Sequence, residues 1–349
     1  MPTVKADLVV LGSGISASIA YTVASRRNLN VLAIDPSFRT SYPLIIEEVN
    51  LKNLGKRIGI SKLPILTPNH ELYIDKASCV CYNMQTNTLK SGDYLKKMVA
   101  YENPEEYQLL WPLYWYNSKT LCYNALYTLF KNGVLSNLQH IVSNVRVIDV
   151  ERKLVVLSNG LQVLYNRLIY TWPLDRVLYY IKCTSHYCKK IHQLLNTLRL
   201  RAIGVFILIL ILKHKSMQDI RNEKNIAMFI HATKASRMHT TLLIPLNNDI
   251  TLLYSIASFS NRYSLLPGIV EKLYSELRKF KILTDPSTVI HEIPITYLYG
   301  VLNKPDTALV NELKEILIAE YDFELFGRVA EWHEYALSEL LNRKPKLLS

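Results

Sequence analysis

The feature that most constrains this chain lies at its start, where 6–11, apolar except for Asp7, passes directly into Gly12-Ser13-Gly14-Ile15-Ser16-Ala17. A run of this kind predicts a strand buried on both faces of a parallel sheet, and residues 18–27 after the glycines predict a helix. Strand, tight turn and helix in this order make a phosphate site from backbone alone. Gly12 permits the turn, Gly14 lets a pyrophosphate approach the main chain, and Ala17 is small enough for the helix to pack closely on the strand. The phosphates would sit at the helix N-terminus, with Ser13, Ile15 and Ser16 beside the glycines. A second apolar strand, 30–34, ends in Asp35, roughly the 20 residues beyond the glycines at which an acid meets a ribose hydroxyl. An acid there repels a 2′-phosphate, so NADP is not the expected ligand. The bland alternative for the same residues is a structural glycine turn in an α/β sheet.

Composition narrows the class. The chain has 349 residues, of which 49% are hydrophobic and 20% charged, with no low-complexity tract. That is enough for two domains or one large composite domain with a sizeable core. The net charge of +12 comes from Lys and Arg interspersed with acids, which predicts a solvated surface rather than a nucleic-acid groove. Five cysteines do not suggest a disulfide framework, and no secretory signal is recognisable, so a cytoplasmic location is expected. The longest apolar run, 202–212, is short of the roughly 20 residues that cross a bilayer and reads as a buried strand. No transmembrane segment is expected.

Residues 202–212, 240–246 and 251–258 predict strands of a second sheet, and 268–280 a helix packed on it. Residues 111–116, rich in Trp and Tyr, suit either an apolar substrate pocket or ordinary core packing. Cys79 with Cys81, and Cys183, His186, Cys188 and His192, are ligand types for zinc, but neither set has paired C-x-x-C spacing. The expectation is no metal, with free thiols or a local redox pair, and a buried Cys122. No nucleophile elbow supports hydrolase chemistry.

Three stretches resemble one family. Residues 326–339, which include Gly327, Arg328, Glu331, Trp332, Tyr335 and Ser338, resemble the C-terminal flavin-contact motif of the FAD-dependent amine oxidase, protoporphyrinogen oxidase and UDP-galactopyranose mutase group. Residues 144–149 with 155–160 resemble its strand pair beside the adenine, and 165–174 its return strand, in the family's order. Residues 244–261, 267–268 and 297–299 follow its pattern as well. The chain departs from that pattern at Ala17, where a third glycine is usual, and at Asp35, where Glu is usual. It departs again at Pro36 to Tyr42, where a Gly-Gly pair is usual, near Tyr254 and Ser255, and at Leu337-Ser338. Mutase activity is therefore not favoured.

The resemblance implies an α/β architecture: a Rossmann-like FAD/NAD(P)-binding domain from 1–75, 135–180 and 290–349, with an inserted mixed-sheet α+β substrate domain from 76–134 and 181–289. It implies FAD as cofactor, held by the first glycine turn, Asp35, Pro36, Val145, Thr171, Pro173, Gly327, Arg328, Trp332, Ser338 and Glu339. Arg328 would offer a positive charge and forked donors, and Ser338 would cap a final helix, 339–342, whose N-terminus faces the flavin. The implied chemistry is hydride acceptance from an amine or another small oxidisable molecule, with no residue identified as acid or base. Two alternatives stay open: a non-catalytic nucleotide-binding scaffold or partner-binding protein, and an NAD-dependent or mutase-like enzyme.

Overall fold

A computed structural model describes residues 2–37, 45–47, 65–66, 70–74, 81–83, 88–90, 92–109, 121–123, 139–213, 226–234, 236–245, 249–335 and 337–348. The chain divides into two compact units: unit 1 is 1–66, 120–200 and 304–349, and unit 2 is 67–119 and 201–303.

Unit 1 is built on β1 (Thr3–Leu11), whose last four residues are fully buried. β1 is flanked in parallel by β2 (Val31–Asp35) and by β12 (Gln162–Tyr170). This is why Leu8 to Leu11 are apolar without alternation: an interior parallel strand has both faces covered, whereas the first half of β1, with Lys5 and Asp7, alternates. Beyond β2 lies β9 (Gln139–Val142), also parallel. On the other side, the first half of β12 pairs with an antiparallel hairpin, β10 (Val145–Asp149) and β11 (Leu154–Leu157). The last three residues of β12 pair in parallel with β19 (Phe323–Leu325), and β13 (Ile181–Lys182) closes the β10 edge. A small sheet of β3 (Ile45–Glu47), β4 (Ile65–Leu66) and β8 (Leu121–Tyr123) also belongs to this unit.

Helix α1 (Ile15–Ser25) makes the crossover between β1 and β2 and buries Ala17, Ala20, Tyr21 and Ala24. Small residues at this spacing bring the helix axis close to the sheet. The Tyr21 hydroxyl donates to the Gly12 carbonyl at 3.0 Å; burial, with the nearby Asp35 charge, holds its pKa well above the ordinary tyrosine value. α6 (Thr307–Tyr321) starts at Asp306, which accepts from the N–H groups of Ala308 and Leu309, and stops at the left-handed Asp322.

Unit 2 is a six-stranded mixed sheet in the order β18 (Val289–Leu302), β14 (Ala202–Lys213), β17 (Ile250–Phe259), β16 (Thr240–Pro245), β15 (Ile226–Ile230), β5 (His70–Ile74). Only β15 and β5 are parallel. A separate hairpin joins β6 (Cys81–Asn83) to β7 (Thr88–Lys90). Phe206, Leu208, Leu210 and Leu212 of β14, at strand period, meet Ile269, Leu273 and Leu277 of α5 (Ile269–Lys279), at helical period.

Four stretches lie in the opposite unit from the one expected, among them β5, which falls in unit 2 because it pairs with β15, and β8, which falls in unit 1 because it pairs with β3 and β4. Residues 290–303 belong to unit 2 because β18 pairs along nearly the whole of β14, and 181–200 belong to unit 1 because β13 extends β10. Strand partners far apart in sequence leave no local signal. Residues 111–116 and 38–42 and the side chains of Cys81 and Cys122 lie outside the described residues, as does Cys79. Cys183 and Cys188 form a disulfide, which decides between free thiols and a local pair. Among the described residues, no helix is long and apolar enough to cross a membrane.

Unit 2 also buries a polar cluster. From α2 (Gly92–Met98), the Lys97 ammonium donates to the carbonyls of His231, Thr233 and Met238 at 2.6, 3.2 and 2.5 Å and to Ser236 Oγ at 2.7 Å. His231 Nε2 lies 3.1 Å from Thr241 Oγ1, and His239 contacts Thr240 Oγ1 and Ser258 Oγ. Burial, reinforced by Lys97, pushes His231 down to about 3 and His239 well below the histidine range.

Both rings are therefore neutral in the fold and would titrate near 6.5 when unfolded. Their contribution is complete above that value and is lost as pH falls toward the folded pKa, by up to about 1.4 kcal/mol per histidine per pH unit. The urea midpoint is expected to fall between pH 7 and pH 5, and His239→Asn to flatten that fall. An identical pH slope in wild type and variant would contradict it.

Candidate functional site

The carboxyl ends of β1, β2, β9, β12 and β19 lie along one edge of the unit 1 sheet, the edge where open α/β sheets place their ligands. At the end of β1, Gly12 has φ +124°, a conformation that side chains disfavour. A Cβ there would lie 2.1 Å from Thr171 Oγ1. Thr171 in turn donates to the Leu11 carbonyl through its hydroxyl at 2.7 Å and its N–H at 3.1 Å. Gly12 is thus required by the fold, and Thr171 is the residue that requires it.

Gly14 differs. It precedes α1 in ordinary extended backbone (φ −79°, ψ −170°), no side chain caps the helix, and nothing lies within 4 Å of where its Cβ would be. The free N–H groups of the first helical turn, at Ile15, Ser16 and Ala17, border an open, exposed position. The fold does not need a glycine at 14; a ligand against the backbone would. Ser13, Ile15 and Ser16 are half-exposed around it, and Ala17 is buried as expected. The closest approach to α1, however, is at Ser16: a Cβ on Gly327 (φ +102°) would lie 1.9 Å from Ser16 Oγ. This contact brings the C-terminal segment against the glycine turn, and neither residue announces it in the sequence.

Asp35 ends β2 and is 7% exposed. Its Oδ1 accepts from the Ser37 N–H and hydroxyl at 2.9 and 3.2 Å, and its Oδ2 lies 3.4 Å from Trp172 Nε1. Trp172 was not among the expected site residues, although Thr171 and Pro173 were. Its indole packs on Tyr170 and Tyr180. The Ser143 N–H donates to the Asp35 carbonyl at 3.3 Å, which brings the start of β10 and buried Val145 to the same edge. Pro36 is exposed beside Asp35. Pro173 accepts from the Tyr170 hydroxyl, and Leu174 N–H donates to the Val329 carbonyl at 3.0 Å, joining the loop after β12 to the loop after β19.

The C-terminal loop is organised by charge. Glu331, 3% exposed, accepts from Gly327 N–H at 3.0 Å, Lys314 Nζ at 2.6 Å and Arg343 Nη1 and Nη2 at 2.6 and 2.9 Å. Burial pushes its pKa up, but the bonds to Arg343 and Lys314 outweigh this and hold it below the usual glutamate value. Arg343 also lies over the Tyr335 ring, 4.3 Å from its centroid.

Three of the expected residues sit in particular surroundings. Arg328 is not an open cation, since its Nε and Nη2 donate to the two carboxylate oxygens of Glu334 at 2.6 and 2.5 Å. The fork that suits a cofactor also suits the nearest carboxylate. Trp332 is buried at 1% exposure with left-handed backbone (φ +51°), and its side chain packs in the core. The final helix, α7 (Leu337–Asn342), begins one residue before Ser338, so Ser338 lies inside it, while exposed Glu339 is in its first turn. Glu331, Glu334, Lys314 and Arg343 complete the loop. The spacing of Arg328 and Glu334 hints at a local pair, but Lys314 reaches Glu331 from another helix and carries no sequence signal.

No protein-family model matches the sequence, and no curated protein matches it. Solved structures do resemble the fold. A reduced UDP-galactopyranose mutase aligns with TM-score 0.69 at 11% identity, over 94% of this chain and 89% of that one. A protein assigned as a protoporphyrinogen oxidase from Exiguobacterium sp. 255-15 aligns with TM-score 0.64 at 12% identity, over 97% and 96%. A cofactor-binding redesign of putrescine oxidase aligns with TM-score 0.53 at 12% identity, over 84% and 85%. At such identities the likeness is one of fold, and the Rossmann-type α/β fold with its second sheet agrees with the family resemblance drawn from the sequence.

Glu331→Ala removes the acceptor shared by Lys314, Arg343 and the Gly327 N–H. Breaking a buried pair from one side costs about 3 kcal/mol, so urea unfolding of this variant should show a loss of that order. A change below about 0.5 kcal/mol would mean that the cluster behaves as a surface ion pair.

Proposed function

We propose that this chain is an FAD-binding oxidoreductase, with unit 1 as the cofactor unit and unit 2 as the substrate unit. The single observation that carries the reading is Gly14: an unobstructed backbone position at an uncapped helix N-terminus, next to a glycine turn that the fold fixes. The residues present fit a dinucleotide. Ile15, Ser16 and Ala17 would bind the pyrophosphate through their N–H groups. Asp35, oriented by Ser37 and Trp172, would accept from a ribose hydroxyl. Gly327, held by Glu331, would let the C-terminal loop approach the same turn.

When bound, the flavin supplies two-electron chemistry, taking a hydride from a small oxidisable molecule. An amine as that molecule is supported by the sequence resemblance and by the fold shared with putrescine oxidase. Because Arg328 is neutralised by Glu334, this part of the chain would orient the cofactor through backbone rather than through net charge.

The same ion pair favours a second reading, a nucleotide-binding scaffold without catalysis. The absorbance spectrum of the purified protein and the mass of any nucleotide it releases test both. A flavin spectrum with FAD released, and bleaching by an amine, supports the enzyme; FAD without turnover supports the scaffold. A colourless protein that fails to take up FAD overturns the cofactor assignment, and NADH binding without flavin replaces it with a nicotinamide enzyme.

Gly14→Asp separates binding from folding. A Cβ at 14 meets nothing within 4 Å, and the carboxylate can accept from the N–H groups of the first turn of α1 as a cap, so stability should hold or rise by a few tenths of a kcal/mol. It would also face the phosphates, and FAD affinity should fall at least about tenfold. Equal FAD affinity in the two proteins would remove the phosphates from this turn.

A further inference from the structure

Away from the glycine turn, unit 1 gathers three side chains that the proposed chemistry does not use. Cys183 directly follows β13, and Cys188 and His192 lie four residues apart on one face of α4 (His186–Thr197). The sulfurs of the two cysteines and a ring nitrogen of His192 all lie within 4.8 Å of one another. The sequence spacing, which lacks a C-x-x-C pair, does not suggest a metal site. The turn into α4 creates the cluster.

The backbone around it is tightly held. Glu151 accepts from Thr184 N–H and hydroxyl at 2.8 and 2.9 Å and from Ser185 N–H at 2.7 Å, fixing the link between the two cysteines. Ser185 Oγ meets the Tyr321 hydroxyl at 2.5 Å, and Lys190 pairs with Glu312, so α4 is tied to α6 at two points. The Cα atoms of the cysteines are 5.7 Å apart.

We propose that Cys183, Cys188 and His192 form a thiolate–imidazole site for one soft divalent cation of the zinc type, open only when the disulfide is reduced. Oxidation and metal binding then compete for the same two sulfurs.

Tetrahedral zinc, with Zn–S near 2.3 Å and Zn–N near 2.0 Å, needs the sulfurs about 3.8 Å apart and each about 3.5 Å from the nitrogen. The three atoms lie within 4.8 Å of one another; once the disulfide is reduced the sulfurs must part and the imidazole close in, movements of the size that side-chain rotation supplies. His192 is exposed and can turn. Two thiolates and an imidazole select zinc-like ions over magnesium or calcium, and the fourth position falls to water.

The redox step balances with a small thiol as reductant. Two R–SH reduce the protein S–S bond to two thiols and leave as R–S–S–R. On metal binding the two thiols release two protons to solvent and each sulfur donates a lone pair, with no electron transferred to the metal.

The test uses the full chain, reduced and then titrated with Co²⁺ as the spectroscopic probe for zinc. The expected result is one Co²⁺ per chain with thiolate-to-cobalt charge-transfer absorption, displaced by Zn²⁺. Uptake should be absent in the oxidised protein, lost in Cys183→Ser and Cys188→Ser, and weakened at least about tenfold in His192→Ala. His192→Ala removes an exposed side chain and leaves the disulfide intact, so it reads out on folded protein whatever the cysteine variants do. As a second measurement, Zn²⁺ should protect Cys183 and Cys188 of the reduced wild type from alkylation, read by peptide mass. No charge-transfer band in the reduced protein, a band that survives Cys183→Ser, unchanged affinity in His192→Ala, or no protection from alkylation would each overturn the site.

Discussion

The contact on which unit 1 turns is the one between Gly12 and Thr171. A glycine without a Cβ sits where any side chain would collide with a hydroxyl, and that hydroxyl binds the carbonyl of Leu11, the residue before it. The interaction locks the ends of β1 and β12 together at the carboxyl edge of the sheet. Several other features depend on that lock. The Tyr21 hydroxyl can reach the Gly12 carbonyl, α1 starts in the one direction that leaves Gly14 open, and Trp172, next in sequence to Thr171, is delivered to Asp35. The proposed phosphate site is made of backbone N–H groups with no side-chain adjustment available, so its precision would come from this packing.

Buried charge organises the rest, in different ways in the two units. In unit 1, Glu331 gathers two cations and a backbone N–H, and the electrostatic gain of three partners exceeds the desolvation that opposes it. This fixes the positive-φ turn at Gly327 against Ser16. In unit 2, Lys97 is held by three carbonyl oxygens and a hydroxyl. Each oxygen gives a charge-assisted hydrogen bond. The cage ties α2 to the segment between β15 and β16, and its positive field helps to keep His231 and His239 neutral.

Much of the fold was legible in the sequence. The apolar end of β1, the two glycines and the acid at the end of β2 are local patterns set by short-range backbone geometry. β1 starts at Thr3, three residues before its expected start, but its end, the glycines and the acid came out within a residue or so of their expected places. So did β14, β16, β17 and α5, because period-2 and period-3.6 burial is written along a single segment. The site was legible only in part. The places of Gly12, Gly14 and Asp35 at strand ends could be read because each has a defined offset from a strand, and that of Thr171 from the resemblance of 165–174 to a return strand. Trp172 was missed because an indole that donates to an acid 137 residues away is a pairing, not a pattern.

Arg328 shows the same limit from the other side. Its residue type correctly announced a bidentate donor, but whether the acceptor is a cofactor or Glu334 depends on which carboxylate the chain places within reach. The placement of β18 in the second sheet and the gathering of Cys183, Cys188 and His192 are likewise beyond local pattern. The sequence by itself determined the conformations that a few neighbouring residues can decide: the buried strands, the crossover helix and the glycine turn. Only the tertiary structure decided which side chains meet. Burial periodicity says that a residue faces inward, whereas the identity of its partner is set by strand order, register and loop path, and these are properties of the whole chain.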